Sequence, residues 1–497
     1  MSDSRVLLNR ISTFRRKLEQ MPTLTENDLS REELTHLEEQ AGPDAPLDEQ
    51  VDLANRQQAL LERSLRTLQS TSEAVAEAMP SALTARARRL MEEGRALIAE
   101  LRPFADEPLL AGPPHASDDI DPLAAFYREL VSMAEVSLRM VVTFPESPSA
   151  QMRLSEGLES VIVAIRERLA GLRLAISDRR TDHQRIDTLC GLLLALDRGS
   201  KPMLADFARL AQAILDDAHA GKPMRFLHDA PAATQAFAGG VTFPAPLRFI
   251  ACHALTTAQV MARLIGTSTE WGCTPVEAVM LCLVHDVGMA RVPVELLAQP
   301  GPLSIEQKRQ IEAHAHVSAD LVATHLPELA GLADAIATHH ERMDGTGYPQ
   351  GHHGDQIAPL SRLLAVADEY AARVCSRAHR PAYDPRTALT DTLMEADHNK
   401  LDRAAAERLF LLAFYPVGTL VELNDGRIAR VLANPHRPGE YPEPAQPVVA
   451  VVGNNRGEML PSPQPLDLLA QEGPTILRSL TMEQRAGLIG RRYPEWI

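Results

Sequence analysis

The sequence contains no long hydrophobic run and few cysteines. No stretch approaches the roughly 20 consecutive apolar residues needed to cross a bilayer, so we expect no membrane span. The N-terminal segment MSDSRVLLNRISTFRRKLEQ is charged and amphipathic, and it lacks the apolar core of a signal peptide. The 5 cysteines are odd in number and mostly have apolar neighbours, which favours reduced core thiols over disulfides or metal ligands. We therefore expect a soluble, cytoplasmic protein.

Positive charge is also scarce. The chain has 50 Lys and Arg residues against 66 Asp and Glu residues, a formal net charge of −16. This balance argues against nucleic-acid binding, which needs a basic surface to displace counterions. A small anionic ligand is not excluded, because it would respond to the local field of a metal site.

The 497 residues exceed one ordinary core, so two to four domains are expected. Residues 1–230 show apolar residues at helical spacing in segment after segment, which predicts an N-terminal helical bundle. The pattern also fits a sensory, dimerisation or partner-docking role. The N-terminal helices would then contact a second copy of the chain or a signalling partner. The Ala-, Gly- and Pro-rich residues 231–246 are the best linker candidate.

The hydrophobic pattern of the sequence changes from helical to β-rich near residue 415. Helical patterning runs from 247 to about 414 and is followed by β-rich runs on either side of Asn424-Asp425-Gly426, a strong hairpin signal. PVVAVVGNNRGEML repeats this pattern. Residues 415–497 are thus predicted to form a small β-rich domain with a helical tail from Thr481. The expected fold class is mainly α, with an N-terminal helical bundle, an all-α domain and this β-rich end.

Histidines concentrate in one part of the sequence. Nine of the 17 histidines fall between His253 and His353, and several stand at the ends of apolar helical runs such as AVMLCLVHD and LADAIATHH. A single buried histidine such as His253 also fits a hydrogen-bonded core residue, so only the joint pattern carries weight. Imidazoles and carboxylates so placed suit Fe, Mn or Zn, and we predict a metal site enclosed by successive helices. The candidate ligands are His253, His285, Asp286, His314, His339, His340 and Asp368.

Three motifs in this region resemble a known family. The runs HDVGMARVP (285–293), HHERMDGTGYP (339–349) and VADEY (366–370) resemble the HD-GYP branch of the HD phosphohydrolase superfamily, over roughly residues 247–414. The resemblance implies an all-helical HD fold that hydrolyses cyclic di-GMP, a bacterial second messenger, to pGpG or GMP. It also implies two or three divalent metal ions, with Fe or Mn favoured.

The resemblance assigns roles position by position. It implies that one ion is held by His253, His285, Asp286 and Asp368, and a second by Asp286, His314, His339 and His340. Asp286 and His285 are then the central catalytic residues. Gly345, Gly347, Tyr348 and Pro349 match the loop that lines the substrate pocket. His316, His325, His352 and His353 are expected to be solvent-exposed or to lie behind the ligands.

The sequence departs from the family pattern at three positions and in one stretch. Met289 replaces a lysine that would meet the substrate phosphate, and Phe249 replaces a carboxylate that supplies a third metal in some members, so we expect two metals. Ala371 replaces a second acidic residue. In the altered basic stretch CSRAHRPAY, Arg377 and Arg380 are both candidates for the phosphate contact, although either could be a surface arginine.

These departures leave rival interpretations. The leading hypothesis is a cyclic-dinucleotide phosphodiesterase. An alternative is a catalytically weak or inactive module that binds cyclic di-GMP as a receptor, or that acts as a protein-interaction scaffold. The complete set of candidate ligands favours the enzyme.

Overall fold

The computed structural model describes most of the chain beyond residue 147 and isolated segments before it. The described residues are 85–104, 130–134, 148–200, 202–222, 224–234, 242–266, 271–378, 382–412, 419–433, 447–456, 458–468 and 473–480, with Arg66, Glu107, Tyr127, Arg380, Tyr415 and Gln484. The helical patterns at 6–18 and 60–68, apart from Arg66, lie outside this set. So do the centre of the predicted linker and, apart from Gln484, the predicted helical tail.

Two helices of the N-terminal part are described, α1 (Ala85–Leu101) and α2 (Pro148–Asp197). The 50-residue helix α2 contains the amphipathic run 158–176, as its apolar spacing predicts. Contacts group the chain into one unit of residues 1–180 with 486–497 and a second unit of residues 181–485. Within the described residues, no helix is both long and apolar enough to cross a membrane.

The second unit is built around helices that share one apolar core. Helices α3 (Leu204–His219), α4 (Leu247–Leu264), α5 (Pro275–Val284) and α10 (Pro359–Val374) supply most of that core. The remaining helices are α6 (Val294–Leu297), α7 (Ile305–Glu312), α8 (His314–His325), α9 (Ala333–Ala337), α11 (Pro385–Asp397) and α12 (Arg403–Glu407). Short 3-10 turns over Val287–Arg291 and Pro327–Leu332 connect some of them.

Helix α5 shows why the metal-site motif lies where it does. Its sequence PVEAVMLCLV is apolar on nearly every side, and residues 278–284 are all buried, as expected for a helix through the centre of a domain. Thr274 and Glu277 form a reciprocal capping box at its start, with Pro275 in the first turn, which stabilises the helix by about 1 kcal/mol. The helix ends at Val284, and the polar pair His285-Asp286 follows at its buried C-terminal end.

All 5 cysteines are free thiols, as the sequence indicated, and only Cys273 is not fully buried. Burial raises the pKa of Cys252 and of Cys282 well above the usual thiol value, so both side chains stay protonated and pack as small apolar groups.

The C-terminal part is a small antiparallel sheet, which confirms the β-rich prediction. Its order is β4-β3-β2-β1-β5. The two predicted hairpin turns connect β1 to β2 and β3 to β4. Gly426, with φ of 82°, takes the left-handed position in the first turn. The strands are β1 (Leu420–Leu423), β2 (Ile428–Ala433), β3 (Val448–Gly453), β4 (Met459–Asp467) and β5 (Ile476–Ser479).

Candidate metal centre

The seven side chains singled out in the sequence come together at one place. His253 is on α4, Asp368 on α10, and His285 and Asp286 follow α5. His314 begins α8, and His339 and His340 follow α9. Their ligand atoms fall into two groups, and in each group all atoms lie within 4.8 Å of one another. One group is His253, His285 and Asp368, and the other is Asp286, His314, His339 and His340.

Three of the histidines are oriented by the same local device. The Nδ1 of His285 hydrogen-bonds the carbonyl oxygen of Cys282 at 2.7 Å, and the Nδ1 of His339 hydrogen-bonds that of Ile336 at 2.6 Å. The Nδ1 of His314 likewise hydrogen-bonds the carbonyl oxygen of Ile311 at 2.5 Å. An imidazole that donates through Nδ1 presents an unprotonated Nε2 on its other side, which is the form that binds a metal. The ends of helices thus set both the direction and the tautomer of these rings.

A glycine contact brings the turn after α5 against α8. The Gly288 amide donates to Ser318 Oγ at 2.8 Å. A Cβ at position 288 would lie 2.4 Å from the carbonyl oxygen of His314, so only glycine permits this approach. The close packing places Asp286 Oδ1 3.1 Å from His314 Nε2, although 28 residues separate them in sequence.

Asp286 lies between the two ligand groups. Its Oδ2 is 3.6 Å from Nε2 of His253, in the first group. Its Oδ1 is 3.1 Å from Nε2 of His314, in the second group, and 3.6 Å from Nε2 of His285, in the first. The carboxylate thus lies beside nitrogens of both groups, as a bridging ligand of two ions requires. His253 Nε2 in turn lies 2.7 Å from Asp368 Oδ1.

The donor atoms fit divalent metal ions. Among the described residues, Nε2 of His285 and Nε2 of His339 are buried and have no hydrogen-bond partner. A buried nitrogen without a partner is costly, and a metal ion is one group that would satisfy both atoms. Imidazole and carboxylate ligands suit Fe, Mn and Zn equally, so the residues accept a metal without selecting one.

The electrostatics of the cluster favour charged carboxylates among mostly neutral rings. Burial raises the pKa of Asp286, but His285 and the other imidazoles outweigh it and hold the carboxyl pKa well below its usual value. Burial lowers the pKa of His339 to about 3, so that ring is neutral near pH 7. Burial also lowers the pKa of His285, but Asp286 and Asp368 outweigh it and raise the pKa to about 9.

The loop after His340 covers one side of the second group. The ring of Tyr348 stacks on His340 with 4.7 Å between ring centres, and Gly345 adopts a φ of 80°. A Cβ on Gly347 would lie 2.5 Å from the carbonyl oxygen of His340, so this residue also packs directly on the backbone. Pro349 follows Tyr348 through a cis peptide bond. Of the predicted loop residues, Gly347 and Tyr348 thus pack directly on His340.

The two candidate arginines occupy different positions. Arg377 Nη2 is 3.4 Å from Nδ1 of His253, and its guanidinium lies over the Phe249 ring at 5.0 Å. The guanidinium of Arg380 instead donates to the carbonyl oxygens of Ala372 and Arg373 at the end of α10, at 2.6 and 3.1 Å. Arg377 is thus directed toward the ligands and Arg380 toward a helix end.

Four other histidines of this region belong to neither ligand group. His316 and His353 are exposed, and His325 and His352 are half-buried. Met289 packs against the core as a half-buried apolar side chain, and Ala371 is fully buried within α10.

Sequence reasoning did not identify Gly288, Ser318 or Glu341 as parts of this site. The glycine in HDVG and the glutamate in HHE were visible in the motifs, but their contacts are not local. Glu341 is 2% exposed and accepts a hydrogen bond from the Gln350 amide at 2.8 Å.

Comparisons with known proteins match the part of the chain that contains these residues. The family profile of the HD domain matches residues 244–405. A cyclic di-GMP phosphodiesterase of Pseudomonas aeruginosa is 34% identical over 158 residues, which are 31% of this chain and 37% of the relative. A cyclic di-GMP phosphodiesterase of Borreliella burgdorferi is 25% identical over 198 residues, 37% of this chain and 51% of the relative.

A further relative has a different named substrate. The 3'3'-cGAMP-specific phosphodiesterase 3 of Vibrio cholerae is 35% identical over 121 residues, 24% of this chain and 26% of the relative. The chain therefore spans about half or less of the length of these relatives. A solved structure, an HD-GYP-type protein of Bdellovibrio bacteriovorus, matches 55% of this chain and 78% of its own at 15% identity and a TM-score of 0.30.

Proposed function

We propose that residues 244–405, which match the HD domain profile, form a domain of the HD-GYP type, and that the chain is a metal-dependent phosphodiesterase that hydrolyses cyclic di-GMP to pGpG or GMP. The observation that carries the proposal is the position of Asp286, whose carboxylate lies within 3.6 Å of nitrogens from both ligand groups. This arrangement fits two divalent ions side by side, and phosphodiester hydrolysis is a reaction that such a pair serves well.

The two ions would be held by the two ligand groups, with Asp286 shared between them. When bound, divalent ions supply a water nucleophile at neutral pH and neutralise charge on the phosphodiester. Hydrolysis adds the water oxygen to phosphorus and releases one ribose hydroxyl, which takes up a proton. We infer Fe or Mn from the resemblance in the sequence, since the ligand types alone accept several ions.

The protein side chains contribute orientation and charge. Carbonyl oxygens at helix ends fix the rings of His285, His314 and His339 before any ligand arrives, so little reorganisation is needed on binding. Burial raises the pKa of Tyr348, so its side chain remains a phenol and a hydrogen-bond donor beside the second group.

We infer that Arg377, rather than Arg380, meets the substrate phosphate. Its guanidinium is next to a ligand ring and is supported from one side by Phe249. A planar guanidinium binds phosphate oxygens through two parallel N–H groups. Arg377 therefore supplies a cation in a site where Met289 offers none.

The decisive experiment follows products and metal together. Purified protein loaded anaerobically with Fe or Mn is incubated with cyclic di-GMP, and separately with 3'3'-cGAMP, and the products are separated by chromatography. We expect two metal ions per chain and conversion of cyclic di-GMP to pGpG or GMP. Metal-loaded protein that leaves both dinucleotides intact would exclude the enzyme.

A receptor role is the second candidate, and Met289 is the observation that favours it. An apolar thioether in this position removes a cation that would assist binding or turnover. Tight binding of cyclic di-GMP without products would support the receptor, and a gain of turnover in Met289→Lys would show that the missing cation limits the rate.

A further inference from the structure

The loop between His340 and Gln350 is a tight reversal of the chain. The Tyr348 amide donates to the carbonyl oxygen of His340 at 3.2 Å, and the Gly345 amide donates to that of Arg342 at 2.8 Å. Gly347 packs against this backbone so closely that a Cβ would lie 2.4 Å from the Arg342 nitrogen. The reversal brings the Tyr348 ring onto His340.

The Glu341 side chain joins the two ends of this reversal. Its backbone directly follows His340, and its Oε1 accepts the Gln350 amide, two residues after Tyr348, at 2.8 Å. The side chain is 2% exposed, and its Oε2 has no hydrogen-bond partner among the described residues. A buried carboxyl group with one such bond contributes little to folding overall, because desolvation offsets the bond. Its specific effect is on the path of the loop.

We propose that Glu341 is a positioning residue that holds the loop 345–350 closed, and thereby holds His340 in the second ligand group through the stacked ring of Tyr348. This inference rests on the proposed metal-dependent function. Among residues 348–350, the Tyr348 amide bonds the His340 carbonyl oxygen, the Gln350 amide bonds Glu341, and Pro349 has no amide hydrogen to donate. Loss of the Glu341 carboxyl group therefore removes one of the two hydrogen bonds that these amides make.

The consequence is specific to one group of ligands. His340, on which the Tyr348 ring stacks, belongs to the group with Asp286, His314 and His339. The other group is formed by His253, His285 and Asp368. Loss of the Glu341 side chain should therefore weaken the ion of the second group by about 10- to 100-fold, the usual effect of removing a group that orients a ligand. The first group should keep its ion.

The test compares Glu341→Ala, Glu341→Gln and Glu328→Ala with the wild type. Glutamine keeps an oxygen that can accept the Gln350 amide, and Glu328 is an exposed glutamate outside the site. Metal content per chain is measured after gel filtration at limiting free metal. Amide hydrogen exchange of a peptide covering 345–351 is measured on metal-free protein, so that the position of the loop is followed without catalysis.

We expect about one metal ion per chain in Glu341→Ala against two in the other three proteins, and about tenfold faster exchange of the loop in Glu341→Ala alone. Unchanged exchange in Glu341→Ala, or equal losses in the alanine and glutamine variants, would overturn the positioning role. A wild-type protein that holds no metal would instead contradict the proposed function, while the exchange result would still decide whether Glu341 holds the loop.

Discussion

At the scale of single residues, the Asp286 carboxylate is surrounded by imidazole nitrogens. Four Nε2 atoms each lie 3.1–3.7 Å from one or the other of its oxygens, those of His253, His285, His314 and His339. Imidazole nitrogens around both oxygens of one carboxylate form a donor set that would suit metal ions held between them.

Replacing Asp286 with Asn should remove the bridge while keeping the size of the side chain. We expect metal content to fall from two ions to one or fewer, and turnover to fall by at least about 100-fold. Metal analysis and product chromatography measure both effects, with Asp320→Asn, an exposed residue of α8, as the matched control. Two retained ions in Asp286→Asn would rule out the shared-ligand assignment.

Arg377→Ala and Arg380→Ala should separate substrate binding from helix capping. For Arg377→Ala we expect KM to rise by about 10- to 100-fold at unchanged metal content, because a charge-assisted contact to phosphate is lost. For Arg380→Ala we expect unchanged KM and a lower Tm, because its guanidinium bonds the carbonyl oxygens at the end of α10. Steady-state kinetics and thermal melts distinguish the pair, and a larger KM effect in Arg380→Ala would reverse the assignment.

At the scale of secondary-structure elements, the site depends on where helices end. The run AVMLCLV predicts a buried helix that stops at a polar pair, and the structure ends α5 at Val284 for this reason. The hairpin at Asn424-Asp425-Gly426 is equally local and is confirmed. The approach of α8 to the turn after α5 is not local in sequence. It depends on the contact between Gly288 and the backbone of His314, about 26 residues later, and the sequence of neither segment alone predicts this contact.

Gly288→Ala should test this approach. The added methyl group would lie 2.4 Å from the carbonyl oxygen of His314, so α8 must move away and carry His314 with it. We expect a destabilisation of about 1–3 kcal/mol and weaker metal binding. Chemical denaturation and metal titration provide the measurements. Gly301→Ala is the control, because a Cβ there meets nothing within 4 Å, and equal effects of the two changes would exclude the packing argument.

At the scale of the whole molecule, the buried charges link stability to pH. The pKa of His339 is lowered by burial to about 3, so between that value and its ordinary value of 6.5 only the unfolded chain takes up this proton. Stability therefore falls as pH decreases through this window. The pKa of His285 is about 9 in the folded state, because Asp286 and Asp368 outweigh its burial, so its contribution is lost as pH rises from 6.5 toward 9.

Metal-free protein should accordingly be most stable near pH 6.5, the ordinary histidine value. We expect the Tm to be lower by roughly 5 °C at about pH 5 and also lower at about pH 8.5. Metal binding displaces the proton of His285, so the stabilisation by added metal should grow from pH 6.5 to 9. Thermal melts with and without chelator measure both trends. In Asp286→Asn the alkaline decline should shrink, and a Tm independent of pH would contradict the assigned shifts.

The sequence by itself determined the features that depend on near neighbours. Apolar runs and breakers set the helix ends, turn residues set the hairpins, and the motifs named the histidines and carboxylates that the structure brings together. The family resemblance also implied which of these ligands share an ion. Only the tertiary structure decided that Arg377 rather than Arg380 faces the ligands, and that Glu341 joins the ends of the Tyr348 loop. These outcomes depend on backbone approaches between segments far apart in sequence, and periodicity within one helix contains no information about which partner packs against it.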